Sequence, residues 1–570
     1  MDNYISGSEA LIRSLIGEGV DTIFGYPGGA IIPVFDRLYD YKAQLRNILV
    51  RHEQGAVHAA QGYARISGRT GVVVVTSGPA ATNVITGLGD AMMDSTPLVV
   101  ITGQVGSSLL GSDAFQEIDV IGITQPVTKW SYQIRSAEDL KWAVPRAFYI
   151  ASTGRPGPVV LDFAQNAQNE KIEWTGYKKC HFVRSYDPYP AIDETTIDKA
   201  ADMINKAERP LIVAGHGVEI SGAEKELVAL AEKTGIPVIT TLLGLSTISS
   251  KHPLFKGMIG MHGNIAANIA VGKCDLLFAI GMRFDNRVTG DVSCFAKNAK
   301  VIHADVDSSE FGKIIKPDCA IHGDAKPILE KLLSKVSENT HEGWLESFVA
   351  DEKLEVEKII KPELEPKENL TMGVVARKVA EAAGEGAVLV TDVGQNQMQS
   401  ARYFLYSHPR SIITSGGLGT MGFGLPAAIG AKIGAPERTV CFFTGDGGIQ
   451  MTVEELGVIL EYNVNIKIII LNNNFLGMVR QWQDLFYNKR FSSTALVNPN
   501  FVMLANAYGI PAEDVESKDE LDDAIARMLA HDGAYVLNIN INPEELVYPM
   551  SAAGAPLDEI LLSRDERYQK

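Results

Sequence analysis

Short runs of consecutive apolar residues recur along the chain, each closed by glycine, proline or a polar residue, with helical spacing of the apolar positions in between. DTIFGYPGG, ILVRHE, GVVVVTSGP, PLVVITG and PVVLDF form a first series. PLIVAGHG, IPVITT, CDLLFAIG and KVIHADVD form a second, which closes near HGDAK. GAVLVTDVGQ, RSIITSGG, TVCFFTGDGG, IKIIILNNN and AYVLNINI form a third. Unbroken apolar runs of this length mark strands buried on both faces, which is the condition of a parallel sheet wrapped by helices. The pattern therefore predicts an α/β chain of three doubly wound parallel-sheet domains, over residues 1–165, 193–340 and 371–550. Residues 166–192 are polar, aromatic and aperiodic and read as a linker. Residues 341–370 read as a second linker, a solvated helical strap broken by proline, and residues 551–570 as a tail. No short-period repeat is visible, although the first and third series share the same strand and helix grammar.

Composition narrows the function classes. A chain of 570 residues, 46% hydrophobic and 21% charged, has the make-up of a globular protein with several cores. A formal net charge of −17 argues against a general nucleic-acid binder and against attraction to an anionic membrane, since both need a basic face. Cys180, Cys274, Cys294, Cys319 and Cys441 are scattered without CxxC or zinc spacing and read as small hydrophobes in a reducing compartment. MDNYISGSEA lacks the basic and apolar regions of a leader, and no apolar run reaches membrane-spanning length, so the expectation is a cytoplasmic protein.

Two motifs in the third series carry chemistry. GGLGTMG places Gly417, Gly419 and Gly422 as G-x-G-x-x-G between a strand and a helix, the spacing of a dinucleotide fingerprint. The acid such a site needs at the end of the following strand is missing, because Glu437 precedes the run TVCFF, and the NAD reading is set aside. TGDGGIQM instead puts a carboxylate, Asp446, at a strand-to-helix turn where an anion would ordinarily bind. Asn473 ends the next apolar run, and Thr452 with Glu455 has the form of a capping box that starts the crossover helix. If the two strands are neighbours, their tips lie about 5 Å apart. Carboxylate and amide oxygens then share a space suited to Mg²⁺, with a main-chain carbonyl near Phe475 as a third donor and a diphosphate completing the shell.

The pairing of GDG with NN resembles the diphosphate motif of thiamine-diphosphate enzymes. RHEQGAVHAAQGYAR, TSGPAATN, DAMMDSTPLVVITGQV, GSDAFQEIDVIGIT, GMRFDNRVTG, GGLGTMGFGLPAAIGA and LNNNFLGMVRQWQ extend the likeness along nearly the whole chain to the catalytic subunits of the acetolactate synthase (acetohydroxyacid synthase) family. That resemblance implies a pyrimidine-binding first domain, an FAD-binding central domain and a diphosphate-binding third domain. The implied cofactors are thiamine diphosphate, Mg²⁺ and FAD. The implied substrates are pyruvate and 2-oxobutyrate, joined into 2-acetolactate or 2-aceto-2-hydroxybutyrate in the first common step of branched-chain amino-acid synthesis. It also implies a homodimer or homotetramer with active sites between chains, and a small regulatory subunit.

Residue by residue, the likeness assigns Glu53 to the proton shared with the coenzyme's aminopyrimidine and Gly29, Phe115 and Gln116 to the vicinity of the reacting atoms. Met421 matches the residue over which the coenzyme folds. Gln395, Asn396, Gly445, Asp446, Gly447, Gly448, Asn473, Phe475 and Met478 match the remaining coenzyme contacts, and Met478 with Trp482 the pocket for the second substrate. For FAD it carries over Arg155, Gly215, Gly217, Thr241, Leu242, His262, Gly281, Arg283, Asp285, Arg287, Val288, Asp305, Val306, Asp324 and Ala325, with Gln397 and Met398 from the third domain. The reaction has no net redox step, so the flavin is expected to be architectural. Departures from the family text are Ala80, Gln125, Gln165, Asn286, Asn396 and Gln399; Gln125 and Gln165 remove positive charge near the expected entrance. A pyruvate oxidase or related carboligase with the same three domains, and a cofactor-free binding relative, are the alternatives.

Overall fold

The structure, a computed structural model, describes residues 4–569. The first domain holds strands β1 (Thr22–Tyr26), β2 (Arg46–Leu49), β3 (Gly71–Val75), β4 (Leu98–Gln104), β5 (Trp130–Ile134) and β6 (Pro158–Ala164). They form one parallel sheet in the order β2-β1-β3-β4-β6-β5. Helices α1 (Glu53–Ser67) and α2 (Ile85–Met93) pack on it. The central domain holds β7 (Pro210–Ala214), β8 (Val238–Thr240), β9 (Phe255–Met258), β10 (Leu276–Ile280), β11 (Lys300–Asp305) and β12 (Cys319–His322). Their order, β9-β8-β7-β10-β11-β12, is the dinucleotide-binding order with its switch point between β7 and β10.

The third domain holds β13 (Val388–Thr391), β14 (Ile412–Ile413), β15 (Val440–Gly445), β16 (Ile466–Asn472), β17 (Ala512–Val515) and β18 (Tyr535–Asn540). Its order, β14-β13-β15-β16-β18-β17, repeats that of the first domain strand for strand. Helices α3 (Gln395–Tyr403), α4 (Gly424–Gly434) and α5 (Gly477–Phe486) belong to it. Within these three sheets the strands are parallel, as the unbroken apolar runs of the interior strands predict, and among the described residues no helix is long and apolar enough to cross a membrane.

The first and third domains of one chain share a core in which Phe24 and Val73 belong to the same buried cluster as Phe423 and Phe442. α1 and α4 meet at backbone contact: a Cβ on Gly62 would overlap the Ala427 carbonyl, and one on Gly430 the Ala59 carbonyl. In the glycine-rich loop before α4 the anion is a carboxylate of the first domain. The main-chain N–H groups of Gly416 and Gly417 donate to Asp94 at 2.9 and 2.7 Å, and Asp94 also pairs with buried Arg65 at 2.8 Å. A dinucleotide-like nest has been turned into a domain latch. Removing one partner of such a buried pair costs about 3–5 kcal/mol.

The linkers differ from expectation. Lys171–Glu173 forms an antiparallel ladder with Tyr4–Ser6. The strap at 341–370 is not solvated on its inner side: Glu355 is buried against Arg402 at 2.5 Å and caps the N–H of Ile265 at 2.6 Å, so it fastens the central domain to the third. Charge density along this strap suggests solvent, but long side chains on one face reach cationic and N–H partners that only the neighbouring domains supply.

Glu363, on the same strap, shares a buried site with Glu545 from the far end of the chain. Gln399 donates to both, at 3.3 and 3.1 Å, and the N–H groups of Gly373 and Met372 complete the shell. Burial, then the Glu363 charge, holds the Glu545 carboxyl well above its ordinary range, so one proton stays between the pair. A carboxyl whose pKa is raised on folding adds stability below its unfolded value that is lost as pH climbs through its folded value. Each pH unit over which the native state alone keeps the proton is worth about 1.4 kcal/mol. Glu545→Gln replaces the proton with a permanent amide donor. Its Tm should exceed that of the unmodified protein by about 2–4 °C at pH 8 and converge with it near pH 5, measured by circular dichroism at constant ionic strength.

Candidate active site

β15 and β16 are neighbours, with Gly445 opposite Leu471, so the two tips carrying Asp446 and Asn473 lie side by side. Asp446 opens the short helix Asp446–Ile449, and both side chains are buried. The N–H of Phe475 donates to Asn473 Oδ1 at 3.1 Å, and Asn473 Nδ2 donates to Gln395 Oε1 at 3.2 Å, which sets the amide's orientation. Gln395 in turn donates to Gln481 Oε1 at 3.0 Å and to the Glu545 carbonyl at 3.1 Å. Burial raises the Asp446 pKa, opposed by the hydrogen bond from Asn498 at 2.7 Å. A carboxylate kept dry in this way is short of positive charge.

Among the described residues no group of three or more His, Cys, Asp and Glu side chains stands at metal-binding spacing. A cation here would rest on one carboxylate, one amide and main-chain oxygens, the hard donor set that suits Mg²⁺ with water and phosphate oxygens. Asn396 stands over the same loop. Its Nδ2 donates to the Val393 carbonyl at 3.1 Å, whereas its buried Oδ1 has no protein partner, and a Cβ on Gly445 would lie 3.5 Å from Nδ2. An unsatisfied buried amide oxygen beside an open glycine turn fits a site completed by a polar ligand. Met421, half-buried, has its methyl 3.7 Å from where a Gly447 Cβ would stand, and Gly448 packs on Asp392.

The capping box is not formed. Thr452 Oγ1 donates to the Gly422 carbonyl at 3.0 Å, and Glu455 Oε1 accepts from the N–H groups of Arg51 and His52 at 3.1 and 2.9 Å. The unpaired N–H groups before α1, brought in by the third-domain contact, are stronger claimants on the Glu455 carboxylate than its own helix turn. That contact holds the turn that carries Glu53. Glu53 is the first residue of α1, and its Oε2 accepts from Asn83 Nδ2 at 2.9 Å. Gln116, at φ +59°, packs on Gly78 in the loop leading to Asn83; Gly29 follows the tip of β1, and Phe115 is 87% exposed. Gln125 and Gln165 are exposed on the same domain.

A cavity of about 690 Å³ opens at the switch point of the central sheet and runs to α5. Thr241, Leu242, Gly281, Asp305, Val306, Asp324 and Ala325 line it from the central strand ends, and Arg155, Arg283, Asp285, Arg287, Val288 and His262 from the loops. Gly217, Gln397, Met398, Met478 and Trp482 also reach it. Gly215 does not: it lies beneath, with its N–H on the Ile280 carbonyl at 3.0 Å. Asn286 lines the mouth where the family text has an aspartate. His262 is buried with Nδ1 unpartnered, and burial, reinforced by Arg402 and Arg287, lowers its pKa to about 3, so it is a neutral ring short of one hydrogen bond. Burial raises Asp305 to about 7. Three arginines and unfilled polar groups in a dinucleotide-type fold suit a large anionic nucleotide. Trp482, which reaches this cavity from α5, packs against Phe486 with ring centroids 4.9 Å apart and the planes tilted by 40°.

Sequence reading missed Asn83, Glu455 and Asn498 as parts of the site. Asn83 ends TSGPAATN and could have been found from its motif. Glu455 was visible but assigned to the wrong partner, and Asn498, in VNPN, carries no local signal.

Residues 5–123, 197–332 and 392–539 match, in turn, the N-terminal TPP binding domain, the central domain and the C-terminal TPP binding domain of the thiamine pyrophosphate enzymes. The chain is 45% identical to a probable acetolactate synthase large subunit of Methanocaldococcus jannaschii, over 98% of this chain and 95% of the relative. It is 42% identical to the acetolactate synthase large subunit of Lactococcus lactis, over 98% and 96%. With the large subunit of acetolactate synthase isozyme 2 of Escherichia coli the identity is 40%, over 98% and 99%. With identity at this level over nearly the whole of each chain, and all three domain models matched in order, the chain belongs to the acetolactate synthase large-subunit family of thiamine pyrophosphate enzymes.

Proposed function

We propose that this chain decarboxylates pyruvate and joins the remaining two-carbon unit to a second pyruvate or to 2-oxobutyrate, giving 2-acetolactate or 2-aceto-2-hydroxybutyrate, with Mg²⁺ and FAD as further cofactors. The observation that carries the reading is the pair Asp446 and Asn473 on adjacent strand tips, with α5, which carries Met478 and Trp482, following Asn473 in the chain. Bound at those tips, thiamine diphosphate supplies the carbon nucleophile and electron sink that decarboxylation of a 2-oxoacid requires. Asp446, Asn473 and the Phe475 carbonyl hold the cation that anchors its diphosphate, with Gly445, Gly447, Gly448, Gln395 and Asn396 around it. Met421 supports the fold of the coenzyme. Glu53 holds a proton against the aminopyrimidine, its orientation kept by Asn83 and by the Glu455 clasp on the preceding turn. Gly29, Phe115 and Gln116 close the reacting space against water.

Glu53 and Asp446 lie in different domains, and a site shared between two chains is the arrangement this reading takes. Exposed apolar side chains flank both halves, among them Ile32 and Phe115 in the first domain and Leu418 and Met451 in the third, and a second copy would cover them. The relatives' designation as large subunits supports a smaller companion chain. The switch-point cavity takes FAD, with Arg155, Arg283 and Arg287 toward the pyrophosphate and Asp305 and Asp324 toward hydroxyl groups.

Trp482 and Met478 set the acceptor. The test supplies pyruvate, Mg²⁺, thiamine diphosphate and FAD and follows acetolactate, then repeats the assay with 2-oxobutyrate in competition. The unmodified protein forms acetolactate, and Trp482→Leu loses about 10-fold or more of its preference for 2-oxobutyrate, the scale that contacts to one methylene supply. Peroxide without acetolactate would replace this reading with an oxidase.

A further inference from the structure

Asn498 lies in the segment that follows α5 and returns along the strand tips, where the Leu476 N–H donates to the Thr494 carbonyl at 2.8 Å and the Leu496 N–H to the Asn474 carbonyl at 2.9 Å. Its side-chain amide stands 2.7 Å from Asp446 Oδ2, 3.2 Å from Asn472 Oδ1 and 3.1 Å from Asn474 Oδ1. Its own oxygen accepts from Gln450 Nε2 at 3.0 Å, and that same nitrogen donates to the Asp446 carbonyl at 2.8 Å. One neutral amide thus grips the carboxylate at one strand tip and both neighbours of Asn473 at the other.

We infer that Asn498 is a positioning residue that presets the cation site before any cation arrives. The inference rests on the reading of Asp446 and Asn473 as cation ligands. The Asp446 carboxylate also accepts from main-chain N–H groups of its own turn and of Asn473. Asn498 adds a side-chain donor from a third segment, and the same nitrogen reaches both neighbours of Asn473 at the other strand tip. A neutral donor is the suitable chemistry: it holds one carboxylate oxygen in place and leaves the full negative charge to attract the cation, whereas an ammonium in the same place would compete with it. Outer partners of this kind are worth about 10–100-fold in metal affinity.

The test measures Mg²⁺-dependent binding of thiamine diphosphate to the full-length apoprotein by titration calorimetry. In Asn498→Ala the Mg²⁺ concentration for half-saturation rises about 10-fold or more. Stoichiometry of binding is unchanged, and the Tm of the metal-free protein stays within a few degrees of that of the unmodified protein. Asn498→Ser, which keeps a short donor, falls between the two and takes over the test if the alanine variant does not fold. An unchanged Mg²⁺ midpoint, or a lowered Tm with no change in midpoint, overturns the inference. Asp446→Ala is run alongside. If it too binds with the normal midpoint, the assignment of the cation site itself fails; if it loses binding while Asn498→Ala does not shift, only the role given to Asn498 fails.

Discussion

Glu53→Gln lowers turnover by about 10²–10⁴-fold while leaving Mg²⁺-dependent coenzyme affinity within a few fold. Glu53 accepts one hydrogen bond, from Asn83 at 2.9 Å, and a glutamine carbonyl can accept the same bond, so the substitution keeps the shape of the turn and removes only the capacity to hold an exchangeable proton. On the proposed assignment the coenzyme's diphosphate would be anchored through Asp446, in a different domain, so binding survives. Steady-state assay of acetolactate together with calorimetric titration of the coenzyme separates the two effects. Turnover equal to that of the unmodified protein would remove Glu53 from the mechanism, and loss of coenzyme binding would recast it as an anchoring group.

Asp446→Ala has the opposite profile. It abolishes cation-dependent coenzyme binding, because the remaining oxygens at the strand tips are neutral amides and carbonyls that offer a divalent ion no charge. Its stability changes the other way. In the metal-free protein Asp446 is a buried carboxylate whose ionised form is disfavoured by desolvation, so its removal leaves the Tm unchanged or slightly higher. Addition of Mg²⁺ and thiamine diphosphate raises the Tm of the unmodified protein, by the equivalent of about 2.7 kcal/mol at 100 times the dissociation constant, and leaves that of the variant where it was. A variant that still gains stability from the coenzyme would show that the anchor lies elsewhere.

Four strands escape the apolar-run pattern: β5, β9, β12 and β17, and each is an edge strand. An edge strand packs on one side and meets solvent on the other, so WSYQI or AEDV alternates or turns polar where a central strand reads as an unbroken apolar run. The same physics explains why the interior strands that carry the site, β15 and β16, were plain in the sequence, as was the chemistry of Asp446 and Asn473 at their ends. The acidic strap misled for the complementary reason. Glu355 and Glu363 have the composition of a solvated face, yet Glu355 is buried and Glu363 half-buried because partners distant in sequence, Arg402 and Glu545, meet them there.

By itself the sequence determined three parallel sheets, the strand tips that carry Asp446 and Asn473, and the family to which the chain belongs, because each of these is written in local periodicity or in contiguous motifs. Tertiary structure alone decided that the two donor strands are adjacent, that the central sheet takes the dinucleotide order, and that Glu455 and Asn498 serve neighbours 403 and 52 positions away. A hydrogen bond forms with whichever group the folded chain brings within about 3 Å, and no local pattern records which group that will be.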